Sequence, residues 1–99
     1  MLILRSLTRE EAMHGYAIAK HIQRVSEDVL RVEEGSLYPA LQRILNKGWV
    51  RAEWGQTERN RRARFYRLTE AGRRQLDVEV SEFTRVIEAI TRVLQPAEG

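Results

Sequence analysis

The chain has no cysteine, which removes disulfides, thiolate metal sites and cysteine nucleophiles. No apolar run approaches the ~20 residues that span a bilayer. The short apolar start, Met1 to Leu4, meets Arg5 too soon to be the core of a secretion signal. The expectation is a cytoplasmic protein with no membrane partner. Internal repeats and low-complexity tracts are missing, as are a glycine-rich phosphate loop and a pair of carboxylates in an obvious pocket. Serine and histidine occur, but nothing draws a serine, a base and an orienting acid together. His14 and His21 are spaced to share a helix face, yet a zinc site needs three or four placed ligands. The chain reads as a non-enzyme with no metal and no cofactor, and His14 as structural or a phosphate neighbour.

What is present is ordinary in amount and uneven in arrangement. Ninety-nine residues, 42% apolar and 31% charged, make one globular domain of marginal size. Basic and acidic side chains cancel from residue 1 to residue 58. Then Arg59, Arg61, Arg62, Arg64, Arg67, Arg73 and Arg74 face Glu70 alone, while the remaining C-terminal stretch is acidic. The net charge of +3 therefore resides in one block, as a phosphate-contacting patch requires, although a solvated charged loop would look alike.

The segment from Glu34 to Gly48 organises the rest. Leu37, Leu41, Ile44 and Leu45 recur at helical spacing and form one apolar face. Ser36, Tyr38, Gln42, Arg43 and Asn46 lie mostly elsewhere and carry hydrogen-bonding groups. Gly48 is placed as the helix stop, Glu33 or Ser36 as its cap, and Pro39 fits best in an early turn. Before it, Met1 to Leu7 predicts a short helix that must pack on something, and Thr8 to Ala12 a polar connection. A second helix is expected from His14-Gly15-Tyr16 to about Val25 or Ser26, burying Ile18, Ala19, Ile22 and Val25. Val29 to Val32 has strand character.

After the organising segment, Trp49 to Trp54 alternates, with Val50, Ala52 and Trp54 on one face, and Arg64 to Leu68 is a second strand-prone run. A hairpin is expected, with a long arginine-rich tip from Gly55 to Ala63 and Asn60 in its turn. Thr69 is placed to cap a last helix. Along that helix Leu76, Val80, Phe83, Ile87, Ile90 and Leu94 step by four and three, an a/d seam broadened by Val86 and Val93. Such a seam calls for a second copy, or else for a helix folded back on its own core. Pro96 ends the helix, and Ala97 to Gly99 are expected to fray.

Four stretches together resemble the PadR family of bacterial transcriptional regulators: Leu2-Ile3-Leu4; His14-Gly15-Tyr16-Ala17-Ile18; Glu34-Gly35-Ser36-Leu37-Tyr38-Pro39-Ala40-Leu41 with Gly48; and Arg64 to Gly72. The resemblance runs from the first residues to about Arg74 and is closest to members with a single C-terminal helix. One departure is Glu10-Glu11-Ala12, where the family often has a Gly-Pro turn. The resemblance implies an α+β, mainly α, winged helix-turn-helix DNA-binding domain over residues 1–74. It implies a C-terminal dimerisation helix and short tail over 75–99, packed on the partner subunit. It also implies repression, relieved in some members by phenolic or hydrophobic cationic compounds.

The expected partners are a second copy of the chain and double-stranded DNA with a palindromic operator. Ser36, Tyr38, Pro39, Gln42 and Arg43 are the expected groove-facing set, and Tyr16, Lys20, Arg61, Arg62 and Arg64 the phosphate set. Trp49, Trp54, Phe83 and the seam suggest an apolar space between subunits for a small aromatic or hydrophobic ligand, or else plain core packing. A winged-helix protein-interaction module and a regulator of another family, such as the MarR type, are the alternatives.

Overall fold

The structure is a computed structural model and describes residues 1–9 and 12–96. Glu10 and Glu11, in the expected connection, and the expected frayed tail Ala97 to Gly99 lie outside the described residues. Among the described residues, four helices and three strands follow in the order α1 (Leu2–Ser6), β1 (Met13–His14), α2 (Gly15–Val25), α3 (Glu34–Asn46), β2 (Val50–Gln56), β3 (Arg62–Leu68) and α4 (Glu70–Leu94). The strands form one antiparallel sheet with β3 in the middle, in the order β1-β3-β2.

Nearly every element gives the core one or two side chains. Leu4 of α1 and Leu7 just after it meet Ile18 and Ile22 of α2, Leu37 and Leu41 of α3, Val50 and Tyr66 of the sheet, and Leu76 of α4. Each fully buried aliphatic side chain stabilises by about 1.5–3 kcal/mol, so a core this small tolerates few losses. Ser6, the buried polar residue among them, donates its hydroxyl to the Leu2 carbonyl at 2.8 Å. The expected burial of Val25 does not hold. One turn beyond Ile22, it has passed the end of the core and is 64% exposed.

Local chemistry sets the ends of α3. The Trp49 N–H donates to the Ile44 carbonyl and the Gly48 N–H to the Leu45 carbonyl, both at 3.0 Å, with Gly48 at φ +75°. That is a left-handed C-terminal cap, a conformation glycine adopts without steric cost. Glu33 takes the N-cap position through its backbone, its carbonyl accepting from Ser36 and Leu37. Pro39 is inside the helix, in the second turn rather than the first. Lacking an N–H, it leaves the Gly35 carbonyl without its helical donor on the exposed side.

Val29 to Val32 is not a strand. Glu27 and Asp28 adopt positive φ, and the Leu30 N–H is taken by Ser26 Oγ at 3.0 Å. The edge of β3 goes instead to Met13 and His14, which pair with Tyr66 and Phe65. His14 therefore closes a strand rather than opening α2, and its Nδ1 accepts from the Ala17 N–H as the helix N-cap. The hairpin is also longer and its tip shorter than expected. Pairing continues to Gln56 and Arg62, leaving residues 57–61 as the turn, with Asn60 at φ 64°.

Thr69 joins the two halves. Its Oγ1 accepts from the Gly72 N–H, capping α4, and donates to the Gly48 carbonyl at 2.7 Å, while its N–H donates to the Trp49 carbonyl. Gly72 is packed so closely there that a Cβ would collide with the Trp49 carbonyl oxygen. From this point α4 runs outward, and the molecule measures 63 × 28 × 24 Å. The helix does not fold back onto its own core. Leu76 is buried in that core and unavailable to a partner, whereas Val80, Phe83, Ile87, Ile90 and Leu94 are exposed.

Two glycines test this packing. Gly72→Ala is expected to destabilise by about 1–3 kcal/mol, since a backbone carbonyl cannot give way. Gly35→Ala, with nothing within 4 Å of the new methyl, is expected to stabilise by about 0.5 kcal/mol. Urea midpoints at one protein concentration check both.

Candidate nucleic-acid interface

The buried stripe of α3 fixes how its other faces point. Leu37 and Leu41 are buried, and Ser36, Tyr38, Pro39, Gln42 and Arg43 are all exposed. Gln42 Nε2 donates to Asn46 Oδ1 at 3.0 Å along the helix. Tyr38 rests against α2, because a Cβ on Gly15 would lie 3.0 Å from Tyr38 Cε1 and 3.3 Å from its hydroxyl. The missing side chain of Gly15, the first residue of α2, is what lets that ring lie flush.

On α2, Tyr16 and Lys20 are one turn apart and exposed, with Lys20 Nζ 5.4 Å from the Tyr16 ring centre. The β1–β3 pairing ties this helix to the hairpin. The His14 ring meets Phe65 edge-on at 5.4 Å and is nearly parallel to Tyr16 at 6.4 Å.

The hairpin has two unlike faces. On one, Glu53 pairs with Arg67 at 3.6 Å, and Phe65 covers Gly55 so tightly that a Cβ would lie 2.9 Å from its ring. The other face begins in the core with Val50 and Tyr66 and ends outside it with Trp54, Arg64 and Arg62. Trp54 is 60% exposed. Within one copy of the chain it lines a different cavity from Phe83; the apolar space expected of the two is one between subunits. The strand alternation was right; the sheet outruns the core before position 54.

Between α2, the middle of α3 and the hairpin lies an open groove of about 1400 Å³. It brings together Tyr16, Lys20, Tyr38, Gln42, Arg61, Arg62 and Arg64; Ser36, Pro39 and Arg43 are outside it on α3. Arg59 and Trp54 line it too, though neither is in the expected phosphate set, and Arg9 and Arg24 line it without being singled out in the sequence. Arg24 continues the step of four from Tyr16 and Lys20, a stripe visible in the sequence. Arg9 has no such signal. Among the described residues the groove has seven cationic side chains (Arg9, Lys20, Arg24, Arg59, Arg61, Arg62, Arg64) and Glu58 as its carboxylate. No helix of the described residues is long and apolar enough to cross a membrane.

The model of the transcriptional regulator PadR-like family matches residues 3–78. A solved transcriptional regulator from Clostridium thermocellum is 24% identical, with a TM-score of 0.82 over 95% of this chain and 91% of that one. A PadR family transcription regulator from Clostridium difficile R20291 is 25% identical, at 0.73 over 94% and 96%. Bacillus subtilis PadR, solved in complex with operator DNA, is 20% identical, at 0.68 over 80% of this chain and 45% of that one. The fold expected from the sequence, a winged helix with a long C-terminal helix, is the fold these share.

One groove histidine reports its surroundings. Partial burial, then the charges of Arg9 and Arg24, hold the His21 imidazole below its ordinary 6.5, with Arg24 Nη2 3.5 Å from Nδ1. The unfolded chain therefore takes up this proton first on acidification. His21 costs nothing above pH 6.5 and destabilises increasingly as pH falls through and below it. Urea midpoints at pH 7.5 and 5.5 are expected to drop less in His21→Gln than in the parent.

Proposed function

The chain belongs to the PadR-like family of transcriptional regulators, and from that premise we propose that it is a cytoplasmic, dimeric, sequence-specific DNA-binding repressor rather than an enzyme. The observation that carries the reading is the groove, in which seven cations and one carboxylate adjoin the exposed polar face of α3. Phosphate neutralisation supplies affinity, and base contacts in the major groove supply selection. Ser36, Tyr38, Pro39, Gln42 and Arg43 form the reading face. Gln42 suits adenine and Arg43 guanine by the geometry of their donors and acceptors. Tyr16, Lys20, Arg61, Arg62 and Arg64 hold phosphates and set the register. Operator DNA bound to Bacillus subtilis PadR supports the same partner for this chain.

The second copy follows from α4. Val80, Phe83, Ile87, Ile90 and Leu94 present an a/d seam to solvent along a helix of 25 residues, and pairing two such seams is the ordinary outlet. A two-fold dimer places its reading helices about 10 bp apart on a palindrome. A small aromatic or hydrophobic effector bound beside Phe83 and Val86 would act on that spacing.

Fluorescence anisotropy with the DNA upstream of the gene tests the reading. Saturable, sequence-selective binding that falls steeply with salt supports it, and no binding at low salt removes it. Arg62→Ala is expected to weaken binding to all sequences alike and to lower the salt slope by about one unit; a changed sequence preference would overturn its phosphate role. Ile87→Glu is expected to yield a folded monomer by sedimentation equilibrium and to bind a single half-site weakly.

A further inference from the structure

Trp54 is a large aromatic side chain left out of the core on a strand that carries arginines. Arg64 is its direct cross-strand partner, and Arg62 the diagonal one on the same face. The Arg62 guanidinium carbon lies 4.5 Å from the Trp54 ring centre and that of Arg64 5.8 Å, with Arg64 also 6.0 Å from Tyr66. No carboxylate pairs with either arginine among the described residues. Arg64 Nε is buried against this face without a hydrogen-bond acceptor, which leaves the terminal guanidinium nitrogens as the donors that can meet an anion.

We propose that Trp54 is a positioning residue, its ring holding the guanidiniums of Arg62 and Arg64 ready for backbone phosphates. The inference rests on the DNA-binding reading and adds a residue that acts through two others. A guanidinium above a ring is attracted by the ring quadrupole and uses none of its N–H donors in that contact. It stays available to phosphate while losing the rotamer freedom that a solvated arginine must give up on binding. The arrangement also explains why a half-exposed tryptophan stands where a small polar residue would suffice for the strand.

Two substitutions separate ring from bulk: Trp54→Phe keeps a π face, and Trp54→Leu keeps only apolar volume. In the free protein, ¹⁵Nε relaxation of Arg62 and Arg64 is expected to show both side chains ordered in the parent and the Phe variant and mobile in the Leu variant. Equal order in all three overturns the proposal, whatever DNA does. In anisotropy titrations, Phe is expected to stay within about threefold of the parent, while Leu weakens binding about tenfold with the salt slope unchanged. The same Leu substitution in an Arg62→Ala, Arg64→Ala background is expected to change nothing. A tenfold loss there means Trp54 touches DNA itself, which also overturns the proposal. If the parent binds no DNA at low salt, the proposed function fails and the phosphate half of this inference with it; relaxation then decides alone whether Trp54 orders the arginines.

Discussion

Thr69 against Gly48 and Trp49 is the contact on which the rest depends. At that one place α3 stops, β2 leaves, β3 returns and α4 begins. The Thr69 hydroxyl is donor to the Gly48 carbonyl and acceptor for the Gly72 amide, so a single oxygen ties the end of one helix to the start of another. Three small or cap-forming residues make the approach possible: Gly48 at positive φ, Thr69 at the N-cap, and Gly72 with no Cβ to meet the Trp49 carbonyl. Leu37 and Leu41 of α3 also meet Val50 and Tyr66 of the hairpin in the core. Where the exposed face of α3 points relative to the hairpin arginines therefore rests on these backbone contacts and the core together.

This division of labour lets the surface be specialised. Leu4, Ile18, Leu37, Leu41 and Val50 are consumed inside, and the elements that project beyond them carry exposed side chains. α4 is buried only near its start, at Gly72 and Leu76. The hairpin is likewise buried at its base and bare at its tip. Two extensions leave one compact centre, one mainly apolar along its seam and one cationic.

The parts legible in the sequence were those decided by neighbours in the chain. Leu37, Leu41, Ile44 and Leu45 announce α3 by their spacing, and Gly48, Asn60 and Thr69 announce ends and turns by local stereochemistry. The parts that were not legible depend on partners far along the chain. Met13 and His14 are two residues with no strand pattern, and their pairing is set by Tyr66 and Phe65. Val29 to Val32 had strand-forming residues but no edge to join. Trp54 and Leu76 show the same limit for burial: alternation and heptad spacing assign a face correctly, but where the core ends along that face is a tertiary fact. Trp54 proved outside it and Leu76 inside. The groove was legible in its arginine block and in the step from Tyr16 to Lys20. Arg9 joins it only because the fold brings it there.

The hairpin shows how a cluster of like charges is kept without losing the strand that bears it. Arg67 and Glu53 sit on the opposite face of the hairpin from Trp54 and neutralise one another. On the groove face a carboxylate beside Arg62 or Arg64 would bring the same relief, but it would have to be displaced before phosphate could bind. An aromatic ring stabilises a guanidinium without competing with an anion for its donors. It also contributes cross-strand packing that favours the antiparallel pair. The two faces of β2 thus solve one electrostatic problem in opposite ways, and only the solution with a ring leaves the positive charge open to a polyanion.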